Sequence, residues 1–303
     1  MSNLNNPVSV CIPTYNGEEY FAECLNSVIT QSYYNLEILI VDDQSSDSTL
    51  EIASEYAKFD DRIKILKNPE NLGLVGNWNE SIKQAKYNWV KLVFQDDILH
   101  PHCIERLIHA SNADKTNMAL CNRKFLFESD ADPSIKKYFT KTLIKLSDIH
   151  DSTTKIETSQ VESYISKHIL VNIFGEPTNY LFNKKICKKH GYFNDKISQL
   201  CDYEYIAKVA LREPISFLSD ELAIFRIHQK ATSTSNRGEE RSIETKVKVD
   251  YIDNIVILQT LLKDVKLNEN KKLLSDKIEE IEKLIEKNNE TKIYNKEYEK
   301  IYK

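Results

Sequence analysis

Two pairs of adjacent aspartates follow apolar segments of this chain and are its strongest candidates for chemistry. Residues 36–43 read LEILIVDD, and residues 89–97 read WVKLVFQDD. Neighbouring carboxylates at the end of a buried strand repel each other unless a cation lies close to them. Carboxylate oxygens are preferred ligands of Mg²⁺ and Mn²⁺, and these cations bind diphosphates. The pattern therefore predicts a divalent-cation site that receives a phosphorylated ligand.

The segments that carry these acids alternate with helical patterns over residues 1–125. An apolar run at 8–12 precedes helical spacing at 18–31, and the alternation continues with short loops to a fifth apolar run at 118–127. Such alternation is typical of βαβ units and a parallel sheet. Right-handed crossovers bring the carboxyl ends of parallel strands to one edge, where ligands of open α/β sheets bind. We therefore expect both acid pairs to border one crevice.

Length and charge limit the classes of protein to consider. The chain has 303 residues, a hydrophobic fraction of 41% and a formal net charge of -5. It is long enough for one large domain with an appendage. Its acidic balance argues against a broad nucleic-acid-binding surface, so no nucleic-acid partner is expected.

The location of the protein is predicted from its cysteines and its apolar segments. The six cysteines form no C-x-x-C pair, which argues against a zinc site and favours a reducing cytoplasm. The amino terminus is polar, and no segment reaches the ~18 apolar residues that span a bilayer. We expect a cytoplasmic protein whose membrane association is at most peripheral, at the inner face of the plasma membrane.

Two later regions differ in composition from the first. Residues 128–174 are polar and irregular, and loops of this kind tend to carry specificity. From residue 239 the chain is rich in Lys, Glu, Asn, Ile and Leu, with apolar residues at helical spacing. We predict an amphipathic C-terminal helical extension over 239–303. It packs on the body or on a partner helix, for example in self-association, or it lies on a membrane surface.

Four short blocks carry a resemblance to a known family. They are residues 8–16 (VSVCIPTYN), 40–47 (IVDDQSSD), 71–73 (NLG) and 94–97 (FQDD). In order and spacing they resemble the N-terminal half of family 2 glycosyltransferases, across about the first 110 residues. The resemblance implies an α/β protein of GT-A fold, a Rossmann-like and mostly parallel central sheet flanked by helices. It also implies a glycosyltransferase domain over 1–238, divided into a nucleotide-sugar-binding half (1–125) and an acceptor half (126–238).

The resemblance assigns the donor site to the ends of the first two strands. It implies that the turn with Pro13, Thr14 and Tyr15 cradles the nucleotide of a nucleoside diphosphate sugar, with UDP expected. It implies further that one acid after the second strand accepts a hydrogen bond from the base. Asp43 is the first choice and Asp42 the alternative, and we expect the other of the two to be structural.

The resemblance places the divalent cation, Mn²⁺ or Mg²⁺, at the second acid pair. Asp97 is expected to be the direct ligand, with Asp96 on the ribose or on the metal. Near residue 230 an Arg-x-His stretch followed by Ser233 is similar to one in many relatives. His228 is a candidate for the metal or the diphosphate, and Arg226 is a candidate for neutralising phosphate charge.

The chain departs from the family pattern at two positions. Many relatives carry a further acid where this chain has Phe94, and an arginine where it has Trp78. The second departure puts an arginine contact from this helix in doubt, and Trp78 is expected to pack against the sheet. Asn79, next to it, is a candidate donor-binding residue.

The acceptor half is expected to supply the catalytic base. Residues 199–205 (QLCDYEY) are similar to the acidic motif of the family, in which Asp202 aligns with the base. A helix N-terminus favours an ionised carboxylate, the form that a base needs, although an aspartate there can also be a simple N-cap. Glu176 and Glu204 are weaker candidates for contacts with the acceptor.

Together these features predict a metal-dependent inverting glycosyltransferase of the hexosyltransferase type. Its acceptor would be a hydroxyl of a glycan or lipid-linked glycan in bacterial surface polysaccharide synthesis. The alternative is a nucleotide-sugar-binding scaffold or partner subunit of the same fold, which the departures at Phe94 and Trp78 motivate. A nucleotidyltransferase would need a glycine-rich basic phosphate loop, which residues 13–17 (PTYNG) are not.

Overall fold

A single mixed sheet forms the centre of the protein. The computed structural model describes residues 6–150, 154–231, 242–288 and 290–302. Within these residues nine strands pair in the order β3-β2-β1-β4-β8-β6-β9-β5, and β7 pairs with β9. The strands are β1 (Val8–Thr14), β2 (Leu36–Asp42), β3 (Ile63–Lys67), β4 (Trp89–Leu92), β5 (Ile98–Leu99), β6 (Met118–Phe127), β7 (Thr154–Ile156), β8 (Tyr180–Asn183) and β9 (Ile215–Ile227).

Helices connect these strands and complete the chain. In the described residues they are α1 (Phe21–Ile29), α2 (Thr49–Ala57), α3 (Gly73–Gln84), α4 (Cys103–Asp114), α5 (Pro133–Lys137), α6 (Leu146–Ile149), α7 (Thr158–Lys167), α8 (Lys185–His190), α9 (Cys201–Ala210), α10 (Ile243–Val247), α11 (Asp253–Leu262), α12 (Asn268–Lys287) and α13 (Thr291–Tyr302). The π-helical turns Tyr138–Thr142 and Lys248–Ile252 follow α5 and α10.

The parallel pairing is concentrated in the first half of the chain. Strands β3, β2, β1 and β4 are all parallel, as the alternation of strands and helices predicts. Beyond β4 the sheet is mixed, because β8 runs antiparallel to both of its neighbours, while β6 and β9 pair in parallel. The α/β architecture, with a central sheet between helices, is confirmed. The carboxyl ends of β1, β2 and β4 meet at one edge.

The first strand shows why this sheet lies in the middle of the protein. All seven residues of β1 are buried, and successive side chains of a strand point to opposite faces. Val10 and Ile12 belong to one hydrophobic core, whereas Cys11 belongs to the other. A strand covered on both faces is continuously apolar, as the sequence of β1 is.

The C-terminal helices pack on the body of the protein. α11 contacts α9, α12 contacts α7, and Leu258, Leu261 and Ile281 are buried in the same core as the second half of the sheet. This packing matches the first of the arrangements expected for residues 239–303. In the described residues no helix is both long and apolar enough to cross a membrane. The boundary at 238 lies within 232–241, outside the described residues, so the domain division stays a prediction.

Candidate active site

A pocket of about 890 Å³ opens at the carboxyl ends of β1, β2 and β4. It brings together residues from both halves of the chain. Eight residues singled out from the sequence line it: Pro13, Thr14, Tyr15, Asp43, Asp96, Glu176, Asp202 and His228. Among the described residues, the other five lie outside its lining: Asp42, Asn79, Asp97, Glu204 and Arg226.

Gln95 fixes the turn that follows β1. Its amide oxygen accepts the backbone N–H of Tyr15 at 2.9 Å, and its amide nitrogen donates to the Tyr15 carbonyl at 3.0 Å. A Cβ on Gly17 would lie 2.3 Å from the Gln95 Oε1, so a larger residue there would displace the Gln95 side chain. Nothing in the sequence marks Gln95 separately, because it lies between Phe94 and Asp96 without a charge or a recognised role.

The first acid pair divides into a turn residue and a pocket residue. Asp42 is fully buried, and its Oδ2 accepts the backbone N–H of Ser45 at 2.9 Å. Asp43 faces the pocket and also accepts the backbone N–H of Gly73 at 2.9 Å. Gly73 has a φ of 74°, a left-handed conformation that glycine adopts readily. Asp43 also accepts hydrogen bonds from Asn68 and Leu72, so both acids support the local structure and Asp43 alone of the two lines the pocket.

The second acid pair is arranged differently from the expectation. Asp96 lines the pocket, and its Oδ2 lies 3.0 Å from the Nε2 of His228. Asp97 has no exposed surface, and its oxygens accept the Thr178 hydroxyl and, at 3.2 Å, the backbone N–H of Arg226. Burial, and then the negative charge of Asp96, raise the pKa of Asp97 well above its ordinary value. This position favours Asp96 over Asp97 as the pocket-facing acid.

The guanidinium of Arg226 is directed away from the pocket. It forms ion pairs with Glu23 and Glu128, and its Nε donates to the backbone carbonyl of Asp96 at 2.9 Å. Its guanidinium carbon lies 4.6 Å from the centre of the Tyr20 ring. Because these contacts occupy the side chain, its position does not match the expected contact with phosphate. Arg226 instead supports the loop that carries Asp96.

Two further residues expected in the pocket are used in the core. The side-chain amide of Asn79 donates to the Phe193 carbonyl at 2.9 Å and accepts its N–H at 3.1 Å. Glu204 is buried beside Lys208, at 3.4 Å, and burial raises its pKa. Asn79 was expected to contact the donor and Glu204 the acceptor, but both positions are those of structural residues.

The metal-ligating capacity of the pocket rests on a pair of side chains. Among the described residues no group of three or more His, Cys, Asp and Glu side chains could hold a metal ion. Asp96 and His228 nevertheless present a carboxylate and an imidazole nitrogen next to each other at the pocket wall. Mg²⁺ is usually bound through one or two carboxylates together with substrate phosphates and waters. The pair therefore fits a divalent cation that is held jointly with a diphosphate.

Asp202 lies in the first turn of α9 and faces the pocket. Its Oδ2 accepts the side-chain amide of Asn172 at 2.8 Å, and its Oδ1 accepts the backbone N–H of Tyr203 at 2.8 Å. These two bonds fix the carboxylate. Asn172 lies in the polar and irregular middle region, where no sequence pattern marks it.

Glu176 lines the pocket and pairs with a buried arginine, Arg123. The Nε of Arg123, a residue with 1% of its surface exposed, lies 2.6 Å from a carboxylate oxygen of Glu176. A Cβ on Gly175, whose φ is 88°, would lie 2.5 Å from the guanidinium, so glycine is required there. The signal in the sequence for this partner is the charge of Arg123 within the strand β6, because charged residues are rarely fully buried unless they are paired.

The two departures from the family pattern are in contact. The rings of Trp78 and Phe94 stack with their centroids 4.6 Å apart and an angle of 27° between their planes, and both line the pocket. Trp78 is also buried in the core, as expected. An apolar stack thus stands where many relatives place an arginine and an acid.

Comparison with known proteins identifies the family. The model of the family described as Glycosyl transferase family 2 matches residues 9–166. The chain belongs to this family. It is a glycosyltransferase, and the matched range contains the turn with Tyr15, both acid pairs and the Asn-Leu-Gly block. The resemblance seen in the four blocks is therefore confirmed.

A bacterial relative extends the likeness beyond that range. The putative glycosyltransferase EpsH of Bacillus subtilis (strain 168) is 28% identical over 228 residues, which are 75% of this chain and 57% of EpsH. This chain therefore matches little more than half the length of that relative.

Two solved structures share the fold. TarS of S. aureus in complex with UDP-GlcNAc has a TM-score of 0.67 at 22% identity. The match covers 89% of this chain and 71% of the TarS chain. The mannosyltransferase PcManGT from Pyrobaculum calidifontis, in complex with GDP-Man and Mn2+, has a TM-score of 0.59 at 14% identity. That match covers 89% of this chain and 68% of the PcManGT chain. At these identities the likeness concerns the fold, which is GT-A.

Proposed function

We propose that this glycosyltransferase is a metal-dependent inverting enzyme that moves a sugar from a UDP-linked donor to a hydroxyl of a glycan or lipid-linked glycan. The observation that carries the proposal is the pocket, because it joins Tyr15, Asp43, Asp96, His228 and Asp202 in one cavity. The UDP-GlcNAc complex of TarS supports the choice of UDP.

In the proposed donor site the nucleotide binds along the ends of β1 and β2. The Gln95-held turn at Tyr15 would contact the nucleoside, and Asp43 would accept an N–H from the base. Asn68, Leu72 and Gly73 already donate to this carboxylate, so a base that lacks the N–H would forfeit one further hydrogen bond, about 1 kcal/mol. Asp43 would thus select the base.

We assign the cation to Asp96 and His228. A bound Mn²⁺ or Mg²⁺ would supply positive charge to the departing diphosphate. Asp97 would keep the loop in place through Thr178 and the backbone of Arg226. This assignment keeps Asp96 on the metal, one of its two expected roles, and replaces Asp97 as the direct ligand, because Asp96 is the one that faces the pocket.

In the proposed reaction Asp202 is the general base. It accepts the proton of the acceptor hydroxyl while that oxygen forms a bond to C1 of the sugar. The bond between C1 and the diphosphate oxygen breaks on the opposite face, which inverts the anomeric configuration and releases UDP. Asn172 orients the carboxylate, and Glu176, held by Arg123, would contact the acceptor.

We place this activity in bacterial surface polysaccharide synthesis. A lipid-linked acceptor would bring the enzyme to the cytoplasmic face of the plasma membrane as a peripheral protein. The support for this setting is the bacterial relative and the family membership.

A scaffold that binds nucleotide sugars with little transfer activity is the second candidate. One observation favours it: the stack of Trp78 on Phe94 replaces charged groups at the pocket wall. The presence of Asp96, His228 and Asp202 in the same pocket favours the enzyme.

Nucleotide release from a panel of UDP-, GDP- and dTDP-sugars tests the proposal. The wild-type protein, with and without Mn²⁺, is compared with Asp96→Ala. We expect slow hydrolysis of one UDP-sugar that requires Mn²⁺ and is lost in the variant. Mn²⁺-dependent UDP binding without turnover, with or without candidate glycans, would favour the scaffold. Absence of nucleotide binding would refute both.

A further inference from the structure

The C-terminal helices hold the loop that leads to Asp202. This loop, residues 198–200, lines the pocket and ends where α9 begins. Asp253, the first residue of α11, has no exposed surface. Its Oδ2 accepts the backbone N–H groups of Ser198 and Gln199, each at 2.9 Å. A single carboxylate oxygen thus fixes two consecutive peptide units of the pocket wall.

Lys248 makes a second contact with the same loop. It lies in the π-helical turn Lys248–Ile252, and its ammonium donates to the hydroxyl of Ser198. The positive charge of Lys248 also acts favourably on the carboxylate of Asp253. A cation and an anion from one helical segment therefore hold the loop at its first residue.

The loop needs such support because its last residue is strained. Leu200 has φ 61° and ψ 22°, a left-handed conformation that is unfavourable for a residue with a Cβ. Conformations of this kind persist when their surroundings hold them. The Leu200 carbonyl accepts the N–H of Glu204 at 2.9 Å and so begins α9. The conformation of the loop therefore sets the direction in which the first turn of α9 presents Asp202.

We propose that Asp253 is a positioning residue for Asp202 and that the C-terminal helices are part of the catalytic apparatus. This inference rests on the proposed function, because it takes Asp202 as the base. A displacement of a reacting group by about 1 Å can slow a reaction about 100-fold. Loosening the loop should therefore lower kcat, whereas UDP binding on the other side of the pocket should not change.

Glu162 provides a matched control. It is buried, and its carboxylate accepts the backbone N–H groups of Lys266 and Leu267 at 3.1 and 2.7 Å. Like Asp253, it ties the C-terminal helices to the body by two peptide N–H groups. It does not belong to the described pocket lining. Glu162→Ala therefore removes the same kind of interaction outside the pocket lining.

The experiment compares wild type with Asp253→Ala, Asp253→Asn and Glu162→Ala. Three quantities are measured: amide hydrogen exchange at Ser198 and Gln199, the Kd for UDP with Mn²⁺, and kcat for hydrolysis. The probe is whichever of UDP-Glc, UDP-Gal and UDP-GlcNAc the wild-type protein hydrolyses fastest. For Asp253→Ala we expect faster exchange, a kcat about 10–100-fold lower and a Kd within about twofold of wild type. Asp253→Asn, whose amide oxygen can accept both N–H groups, should restore kcat.

The outcomes separate this inference from the proposed function. A kcat of Asp253→Ala within about twofold of Glu162→Ala, or unchanged exchange at Ser198 and Gln199, would overturn the positioning role while wild-type hydrolysis stands. Absence of hydrolysis by the wild type would overturn the proposed function and, with it, the catalytic role of Asp253. Should Asp253→Ala not fold, Lys248→Ala serves instead, with a kcat several-fold lower at unchanged UDP affinity expected. An unchanged kcat in that variant would refute the inference.

Discussion

The donor half and the acceptor half of the pocket are held in different ways. In the donor half, the turns at the strand ends are fixed by contacts between the short sequence blocks. Gln95 of one block fixes Tyr15 of another, and Asp43 of one block fixes Gly73 of another. In the acceptor half, Asp202 is oriented by Asn172 directly and by Asp253 through the preceding loop. Those two residues have no recognised motif around them. The contacts are long-range in both halves, but those of the donor half join residues of recognisable sequence blocks, whereas those of the acceptor half join residues outside any such block.

The largest expected effect separates chemistry from donor binding. Asp202→Asn should lower kcat for donor hydrolysis by about 10²–10⁴-fold, because the amide cannot accept the proton, while the Kd for UDP stays within about twofold. UDP release assays and calorimetry measure the two quantities. Glu204→Gln, at a buried position in the same helix, is the control for changes to α9. If Asp202→Asn kept the kcat of the wild type, Asp202 would not be the general base.

A second prediction distinguishes the two members of an acid pair within the donor half. Asp96→Asn should weaken Mn²⁺-dependent UDP binding by about 10–100-fold, because it removes a charged ligand at the pocket wall. Asp97→Asn should have a much smaller effect on that binding. Asp97 is buried, its pKa is raised, and an amide oxygen can still accept the N–H of Arg226. Titration calorimetry with UDP and Mn²⁺ decides between them, and a larger loss in Asp97→Asn would reverse the assignment.

The base-recognition element of the donor half is expected to contribute less. Asp43→Asn should weaken UDP binding by about tenfold and reduce the preference for UDP over GDP, since a charged acceptor for the base N–H is lost. Asp42→Asn is the neighbouring control, because Asp42 lies outside the described pocket lining. Competition binding with both nucleotides measures the preference. Equal affinity for UDP in wild type and Asp43→Asn would exclude the proposed contact.

For the acceptor half we expect a pH dependence of the free energy of unfolding, with little effect on activity. Burial raises the pKa of Asp253 from 3.8 to about 6, with Lys248 and Cys201 as neighbouring titratable groups. Between these values the folded protein binds more protons than the unfolded chain, so the free energy of unfolding falls as the pH rises through this range. The loss is on the order of 3 kcal/mol. Chemical denaturation at pH 4 to 7 should show it in wild type and not in Asp253→Asn, and parallel profiles would contradict it.

Some features of the two halves can be predicted from the sequence alone, and others cannot. The parallel sheet and the position of the turn after β1 follow from local patterns. The burial of Asp97 beside the pocket-facing Asp96 does not, because it depends on the distant residues Thr178 and Arg226. The guanidinium of Arg226 was expected at the phosphates, but Glu23 and Glu128 hold it elsewhere. Such long-range ion pairs leave no pattern in a single sequence.

The most direct test of the account is UDP binding by the wild-type protein with and without Mn²⁺, measured by titration calorimetry with GDP as the comparison. We expect one UDP site per chain, which binds UDP more tightly with Mn²⁺ than without it and binds GDP more weakly than UDP. Absence of UDP binding in the presence of Mn²⁺ would contradict the assignment of this pocket as a nucleotide-sugar site.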